Sequence, residues 1–202
     1  MKRQVLFIHG GMTFKKRKEY IHYLKTKDIK PYVTWSGEWL SKALGKGYEM
    51  IRPRMPQSDN AKYEDWKIIF ERYLKTLRKD SIVIGSSLGG ILLAKYFSEH
   101  KPPKRLHSVY MICAPYDNDL PTEDLGGGFA LKKDISRIDR CAKQVYMLFS
   151  KKDDVVPVSH AYKFAKKLKK TKIIIFPRIK GHFRIRKFPE IVKMIKRDVK
   201  KR

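Results

Sequence analysis

The sequence predicts an α/β fold: a three-layer α/β/α sandwich around a mostly parallel sheet of about six strands. Short, near-continuously apolar runs recur along the 202 residues, as is typical of parallel strands covered on both faces. Helical patterns lie between these runs, and regular alternation of strand and helix favours a parallel sheet. The length suits one domain, residues 1–202, with a full core.

Each predicted element follows from its own local pattern. The predicted strands are Gln4–Ile8, Tyr48–Arg52, Ser81–Ile84, Ser108–Cys113, Gln144–Phe149 and Lys172–Phe176. Helical spacing of apolar residues resumes after Gly90 and predicts further helices over Lys62–Leu77, Val158–Lys170 and Phe188–Lys200. Asp59 and Asn60 are cap candidates for the first of these three, and Pro189 suits the first turn of the last.

Two segments interrupt the alternation. Tyr32–Gly47, which contains Trp35 and Trp39, is expected to form a helix plus turns. Tyr116–Ala130 is polar and then glycine-rich, and it follows the end of a predicted strand. Ligands bind at that edge of open α/β sheets, so we expect residues 116–130 to form a small lid.

Composition excludes several classes of protein. With 42% hydrophobic and 12% aromatic residues the chain is not a disordered polymer, and no stretch approaches the roughly 20 apolar residues of a membrane span. Met1–His9 resembles a first strand more than a signal peptide. Cys113 and Cys141 form neither a disulfide framework nor a metal-spaced set, and Cys113 lies in an apolar run typical of a buried thiol. We therefore expect a cytoplasmic protein.

The charge is strongly positive and unevenly distributed. The chain has 47 Lys and Arg against 20 Asp and Glu, a net charge of +27. Lys163–Arg202 contains 17 basic residues and only two acidic ones, Glu190 and Asp198. Such a surface can attract nucleic acid, anionic lipid or anionic substrates, but we favour a lysine-rich coat that serves solubility, because charge alone indicates only non-specific binding. We expect at most weak, non-specific binding.

The stretch Gly85-Ser86-Ser87-Leu88-Gly89 fits the pattern G-x-S-x-G between a predicted strand and a predicted helix. A nucleophile at such a corner lies in strained backbone, and the flanking glycines let strand and helix approach closely. The pattern alone is equally consistent with a plain tight turn or a phosphate-binding loop.

A serine nucleophile needs a base, and the base needs a group that fixes its tautomer. Both follow in the expected order at the ends of later predicted strands: Asp153, next to Asp154, comes after Ser150, and His182 comes after Phe176. Adjacent side chains on an extended segment point to opposite sides, so only one of the two carboxylates can face His182. These positions predict a Ser87–His182–Asp153 triad.

Backbone N–H groups are needed to stabilise the oxyanion. The N–H of Leu88, directly after the nucleophile, is one candidate. The second is expected from the loop after the first strand, where Gly11 or Met12 follows His9. We interpret His9 as a structural loop residue.

These motifs together resemble the α/β-hydrolase superfamily. They are Phe7-Ile8-His9-Gly10-Gly11, Gly85-Ser86-Ser87-Leu88-Gly89-Gly90, Asp153-Asp154-Val155-Val156-Pro157 and Gly181-His182-Phe183. The short length, with Met55-Pro56 followed by Glu64-Asp65-Trp66, is similar to the small retinoblastoma-binding-protein-nine-like serine hydrolases. The resemblance implies a compact α/β-hydrolase fold with little or no cap, Ser87 as nucleophile, His182 as general base and Asp153 as its orienter, and no metal or organic cofactor. The residue before the nucleophile is often histidine in these relatives, and here it is Ser86.

The predicted function is that of a serine carboxylesterase acting on a small-molecule ester with a short-to-medium acyl chain. Phe129 is a candidate for the acyl site. A thioesterase, lactonase or peptidase would use the same triad, so these activities remain open. The alternative from another class is a non-catalytic scaffold whose basic C-terminal surface binds nucleic acid or an acidic partner.

Overall fold

A computed structural model describes residues 1–29 and 33–200, which contain six strands and six α-helices. The strands are β1 (Arg3–Ile8), β2 (Tyr48–Ile51), β3 (Ile82–Ser86), β4 (Leu106–Ile112), β5 (Ala142–Lys152) and β6 (Lys172–Lys180). The helices are α1 (Arg17–Thr26), α2 (Glu38–Leu44), α3 (Tyr63–Thr76), α4 (Leu88–Glu99), α5 (Ser159–Lys167) and α6 (Pro189–Lys200), with a 3₁₀ helix at Ser136–Arg140.

The strands form one sheet in the order β2-β1-β3-β4-β5-β6, and every neighbouring pair is parallel. Helices α3, α4 and α5 pack on one face through residues such as Trp66, Ile91 and Phe164. Helices α2 and α6 pack on the other through residues such as Leu40 and Ile191. The predicted fold class, a three-layer sandwich with a parallel sheet of six strands, is confirmed.

The strand order places a switch point between β1 and β3. The chain leaves β1 for β2 on one side and then returns to β3 on the other side of β1. Connections that diverge in this way leave a crevice at the carboxyl ends of the two strands, where ligands bind in open α/β sheets. His9–Gly11 after β1 and Ser87 after β3 therefore lie beside each other at this edge.

Strands β5 and β6 are longer than the sequence pattern predicts. The apolar runs end near Phe149 and Phe176, but pairing continues past an irregularity to join Lys152 with Lys180. The exposed lysines at these ends carry no apolar signal, so the extension was not predicted. Because the two strands stay paired as far as Lys152 and Lys180, the loops that carry Asp153 and His182 begin side by side.

Helix α1 was also not predicted. None of its ten residues is buried, so the sequence lacks the apolar stripe by which an amphipathic helix is recognised. The prediction of a cap at Asp59 or Asn60 is wrong, because the N-cap of α3 is Lys62 and makes no side-chain cap hydrogen bond. Asp59 instead binds Lys27 at the end of α1, with 2.7 Å between Nζ and Oδ2.

The first interrupting segment contains α2, as the expected helix plus turns, and Trp35 of this segment is buried. Tyr32, where that predicted segment begins, lies outside the described residues. Among the residues that the structure describes, none of the helices has the length and apolar character needed to cross a bilayer.

Candidate active site

Ser87 lies at a strained corner between β3 and α4. Its φ of 55° and ψ of −118° place it in a region that non-glycine residues rarely adopt. Its N–H donates to the carbonyl oxygen of Ile112 in β4, with 2.7 Å between N and O, and this bond holds the corner against the sheet. Ser87 is the N-cap of α4, and its side chain is partly exposed.

The two glycines of the G-x-S-x-G pattern are required by close packing. A Cβ on Gly85 would overlap with the backbone carbonyl of Gly89, and a Cβ on Gly89 would overlap with the carbonyl oxygens of Ile8 and His9. Neither position can therefore accommodate a side chain. Such close packing around the serine is typical of a nucleophile elbow.

His182 and Asp153 are in direct contact. Both carboxylate oxygens of Asp153 lie within hydrogen-bond distance of His182 Nδ1, at 3.0 and 2.9 Å, and the Asp153 side chain is only 1% exposed. The two loops are tied together at their origin, where Gly181 N–H donates to the Lys152 carbonyl oxygen at 3.0 Å. Phe183, which is buried against Phe188, anchors the histidine loop on the far face of the sheet.

Asp153 is held by a dense set of donors. Its Oδ1 accepts the N–H groups of Val155 and Val156, both at 2.9 Å. Burial alone would raise the pKa of Asp153, but the hydrogen bond and charge of His182, the Cys113 thiol and the Val156 N–H together hold that pKa below its ordinary value. The carboxylate is therefore ionised and suited to stabilise a proton on the imidazole.

Asp154 points to a different partner. Its Oδ2 forms an ion pair with Arg184 Nη1 at 2.6 Å, and its side chain is 56% exposed. The structure thus brings His182 together with Asp153, and leaves the neighbouring carboxylate on the surface.

The second ring nitrogen of His182 faces away from Asp153, as the geometry of imidazole requires. Nε2 is buried, yet no described residue forms a hydrogen bond with it. The Ser87 hydroxyl therefore does not donate to Nε2 in this structure. Both groups lie at the carboxyl edge of the sheet, after β3 and after β6.

The expected oxyanion donors are only partly available. Leu88 is the first residue of α4, so its N–H has no acceptor within the helix. Met12 is excluded, because its N–H donates to the Ser58 carbonyl oxygen at 2.8 Å. For Gly11, no acceptor for the N–H occurs among the described residues, so Gly11 is the remaining candidate from this loop.

The Gly10–Gly11 loop is built tightly against the nucleophile. A Cβ on Gly10 would lie 3.2 Å from Ser87 Cβ, and a Cβ on Gly11 would lie 2.7 Å from the Ser58 carbonyl oxygen. His9 supports the loop as expected: its Nδ1 donates to the Gly10 carbonyl oxygen at 2.6 Å, and its Nε2 accepts the Met55 N–H at 3.1 Å. This pair of bonds assigns the proton of His9 to Nδ1.

Phe129 does not line an open pocket. Its side chain is fully buried and packs edge-on against Tyr63 and Trp66, with centroid distances of 5.7 Å in both cases. The prediction that it contacts substrate is wrong, because an aromatic residue in a glycine-rich loop turned inward to fill the core. The Phe129 ring packs against Trp66, and the Trp66 ring in turn lies next to Gly11.

Residues 116–130 contain no helix or strand and are fastened at several points. His160, fully buried in α5, accepts the Tyr116 N–H through Nδ1 at 2.9 Å and donates from Nε2 to the Asp119 carbonyl oxygen at 2.8 Å. Lys163 binds both Asp117 and Asp119. No role for His160 was predictable from the sequence, since its partners lie more than 40 positions away.

One cluster has the spacing of metal ligands. Among the described residues, the ligand atoms of Cys113, Asp153 and His182 lie within 4.8 Å of one another. Burial raises the pKa of the Cys113 thiol well above its ordinary value, and the Asp153 carboxylate raises it further. The direct contact between His182 and Asp153 fits a hydrogen-bond network, and the expectation of no metal stays a prediction.

The parallel sheet, the strained serine corner at its switch point and the aspartate–histidine pair at the same edge define an α/β-hydrolase. Residues 33–192 match the sequence profile described as serine hydrolase. Because this match covers well over half of the chain, the chain belongs to the serine hydrolase family. No curated protein sequence matches it.

Several solved structures share this fold. The ydeN gene product from B. subtilis is 19% identical, with a TM-score of 0.77, over 98% of this chain and 100% of that one. A meta-cleavage product hydrolase from Pseudomonas fluorescens is 14% identical, with a TM-score of 0.64, over 99% of this chain and 91% of that one. Mouse alpha/beta hydrolase domain-containing protein 10 is 17% identical, with a TM-score of 0.63, over 98% and 90% of the two chains. At these identities the likeness shows the fold.

Proposed function

We propose that this serine hydrolase is a carboxylesterase that acts on small-molecule esters with short-to-medium acyl chains. The observation that carries the proposal is the Asp153–His182 pair, whose free ring nitrogen is buried at the same sheet edge as the strained Ser87. Packing alone does not require this combination, which argues against a non-catalytic scaffold.

In the proposed reaction, His182 Nε2 takes the proton of the Ser87 hydroxyl as Oγ attacks the acyl carbon. Asp153 holds the tautomer with the proton on Nδ1 and stabilises the imidazolium that forms. The N–H groups of Leu88 and Gly11 stabilise the negative charge on the acyl oxygen. His182 then protonates the leaving alcohol, and afterwards activates the water that hydrolyses the acyl-enzyme.

A groove beside the proposed oxyanion loop supports substrates of modest size. It has a volume of about 760 Å³, and it runs from Met12 between α1 and residues 120–124. This volume lies within the range of about 300–1,000 Å³ that is typical of small-molecule sites. A marked preference for long-chain lipids would contradict this part of the proposal.

Labelling with a fluorophosphonate probe tests the nucleophile. We expect rapid labelling of the wild type, none of Ser87→Ala, and a loss of ester hydrolysis of several powers of ten in that variant, because triad members act as a unit. Ser86→Ala is the matched control and should retain most activity. If Ser86→Ala is the inactive variant, the assignment of the elbow is wrong.

A panel of esters, thioesters, lactones and anilides with matched acyl groups tests the reaction class. The same acyl-enzyme chemistry can serve all four substrate types, so the ranking of their kcat/KM values separates the esterase from a thioesterase, lactonase or peptidase. We expect the esters to rank first.

For partners and location, we infer only weak binding to nucleic acid or other polyanions. Lys193, Lys196 and Lys200 are exposed on α6, so binding should fall steeply with salt and show no sequence preference. Fluorescence anisotropy over a salt series checks this, and tight binding at physiological salt would support the scaffold alternative.

The buried free thiols Cys113 and Cys141 support a cytoplasmic location, which cell fractionation would test.

A further inference from the structure

Glu123 is an unpaired carboxylate beside the proposed active site. It is partly buried within residues 116–130, and it forms no hydrogen bond or ion pair with any residue that the structure describes. Other carboxylates nearby do have cationic partners: Asp124 binds Lys15 and Asp154 binds Arg184.

The backbone next to Glu123 is firmly held. Thr13 Oγ1 donates to the Asp124 carbonyl oxygen at 2.5 Å and accepts the Gly126 N–H at 2.8 Å. The Asp124 carboxylate is engaged by Lys15 at 2.9 Å. Because Thr13 also follows the proposed oxyanion loop directly, these bonds fix the position of Glu123 relative to Gly11.

Glu123 lines the same groove as Met12. Phe14, Tyr23 and Leu120 provide apolar surface in this groove, so a hydrocarbon chain can lie along it. The charged groups that act most strongly on the Glu123 carboxyl group are His182 and Arg184, followed by Asp153. The carboxylate is thus within electrostatic reach of the acid–base pair.

The environment of Glu123 is unfavourable for an unpaired charge. Burial raises the pKa of this carboxyl group, and the charges of His182 and Arg184 offset that effect only in part. A cation delivered by a ligand would restore the missing interaction, and the groove is open to solvent for its entry.

We propose that Glu123 forms a cation-binding subsite in the substrate groove, and that preferred substrates carry an ammonium or guanidinium group. This inference rests on the proposed esterase function. The carboxylate would orient the substrate by an ion pair, while the apolar wall contacts the hydrocarbon between the cation and the ester. Glu123 is then a specificity residue and has no part in proton transfer.

The test compares two p-nitrophenyl esters of equal length, the heptanoate and the aminohexanoate. The readout is the ratio of their kcat/KM values, in which any general effect of a substitution on catalysis cancels. We expect the wild type to favour the ammonium ester by about tenfold, the size expected of a partly desolvated ion pair. Glu123→Gln should reduce this ratio to about one.

Glu123→Lys should reverse the preference toward an ester with a terminal carboxylate, and Glu123→Asp should retain part of the wild-type ratio. Glu190→Gln, which removes the same charge from an exposed position on α6, is the control and should keep the wild-type ratio. A wild type without preference, or a ratio that Glu123→Gln does not change, overturns the inference while hydrolysis itself still supports the esterase.

Calorimetric titration with hexylammonium chloride and with hexanol provides a readout that is independent of hydrolysis. The ammonium compound should bind the wild type about tenfold more tightly than the alcohol, and Glu123→Gln should abolish the difference. If neither ester is hydrolysed, the proposed function fails and this titration decides the subsite alone. Equal affinities of the two compounds for the wild type would overturn it.

Discussion

The nucleophile corner after β3 and the acid–base pair after β5 and β6 are held by different forces. The corner depends on backbone packing within a few consecutive residues, since Gly85 and Gly89 leave no room for a Cβ. The pair joins Asp153 and His182, which are 29 positions apart, through hydrogen bonds at the ends of two neighbouring strands.

This difference predicts different consequences of substitution. Adding atoms at the corner forces the strand and helix apart, so its variants should lose stability. Changing a donor or acceptor in the pair leaves the shape intact but disturbs the proton on His182, so its variants should lose rate. Three pairs of variants test this distinction.

The largest effect is expected from Asp153→Asn. The amide keeps the shape of the carboxylate but favours the wrong tautomer of His182, so kcat should fall on the order of 10⁴-fold if the serine-protease precedent transfers. Thermal unfolding should change much less than kcat. Steady-state kinetics with an ester substrate provide the measurement.

Asp154→Asn is the matched control for that variant. Its carboxylate is exposed and paired with Arg184, so its loss should change kcat less than a few-fold. If Asp154→Asn is the inactive variant, the orientation of the whole β5 end must be revised.

The second effect concerns stability at the corner. Gly89→Ala places a methyl group against the carbonyl oxygens of Ile8 and His9, and it should destabilise the fold by about 3 kcal/mol or more. Gly47→Ala, where no atom lies within 4 Å of the added Cβ, is the control and should be nearly neutral. Urea denaturation of both variants measures the difference. Equal stabilities would mean that the corner is not tightly packed.

The smallest effect is expected at Cys113. Its thiol lies within 4.8 Å of the Asp153 carboxylate and helps to lower the pKa of that group, so Cys113→Ala removes one of the interactions that keep this carboxylate ionised. A thiol is a weak donor, and kcat/KM should therefore fall by only about three- to tenfold. Cys141→Ala removes a buried thiol outside the site and should not lower kcat/KM. An equal loss in both variants would indicate a packing effect instead.

Local patterns in the sequence predicted most of the sheet and the serine corner. The apolar runs identified all six strands, because strands covered on both faces need apolar residues throughout. The corner was predictable because Gly85, Ser87 and Gly89 lie within five positions and their spacing is set by backbone sterics. The choice of Asp153 over Asp154 came from the resemblance of Asp-x-Val-Val-Pro to the family motif.

Other features depended on partners that are distant in the chain. Met12 was an equal candidate with Gly11 until the Ser58 carbonyl oxygen proved to accept its N–H. Phe129 turned into the core because Tyr63 and Trp66 provide a site for its ring.

The sequence by itself determined the six strands, the elbow and the candidate triad, since each follows from periodicity or from a short motif. The tertiary structure decided which loop N–H remains available to an oxyanion and where Glu123 lies. Thr13 and Asp124 are 111 positions apart, yet their hydrogen bond fixes one wall of the groove against the other. Loop backbone groups can satisfy their hydrogen bonds with any neighbour that the fold supplies, so local sequence does not specify their partners.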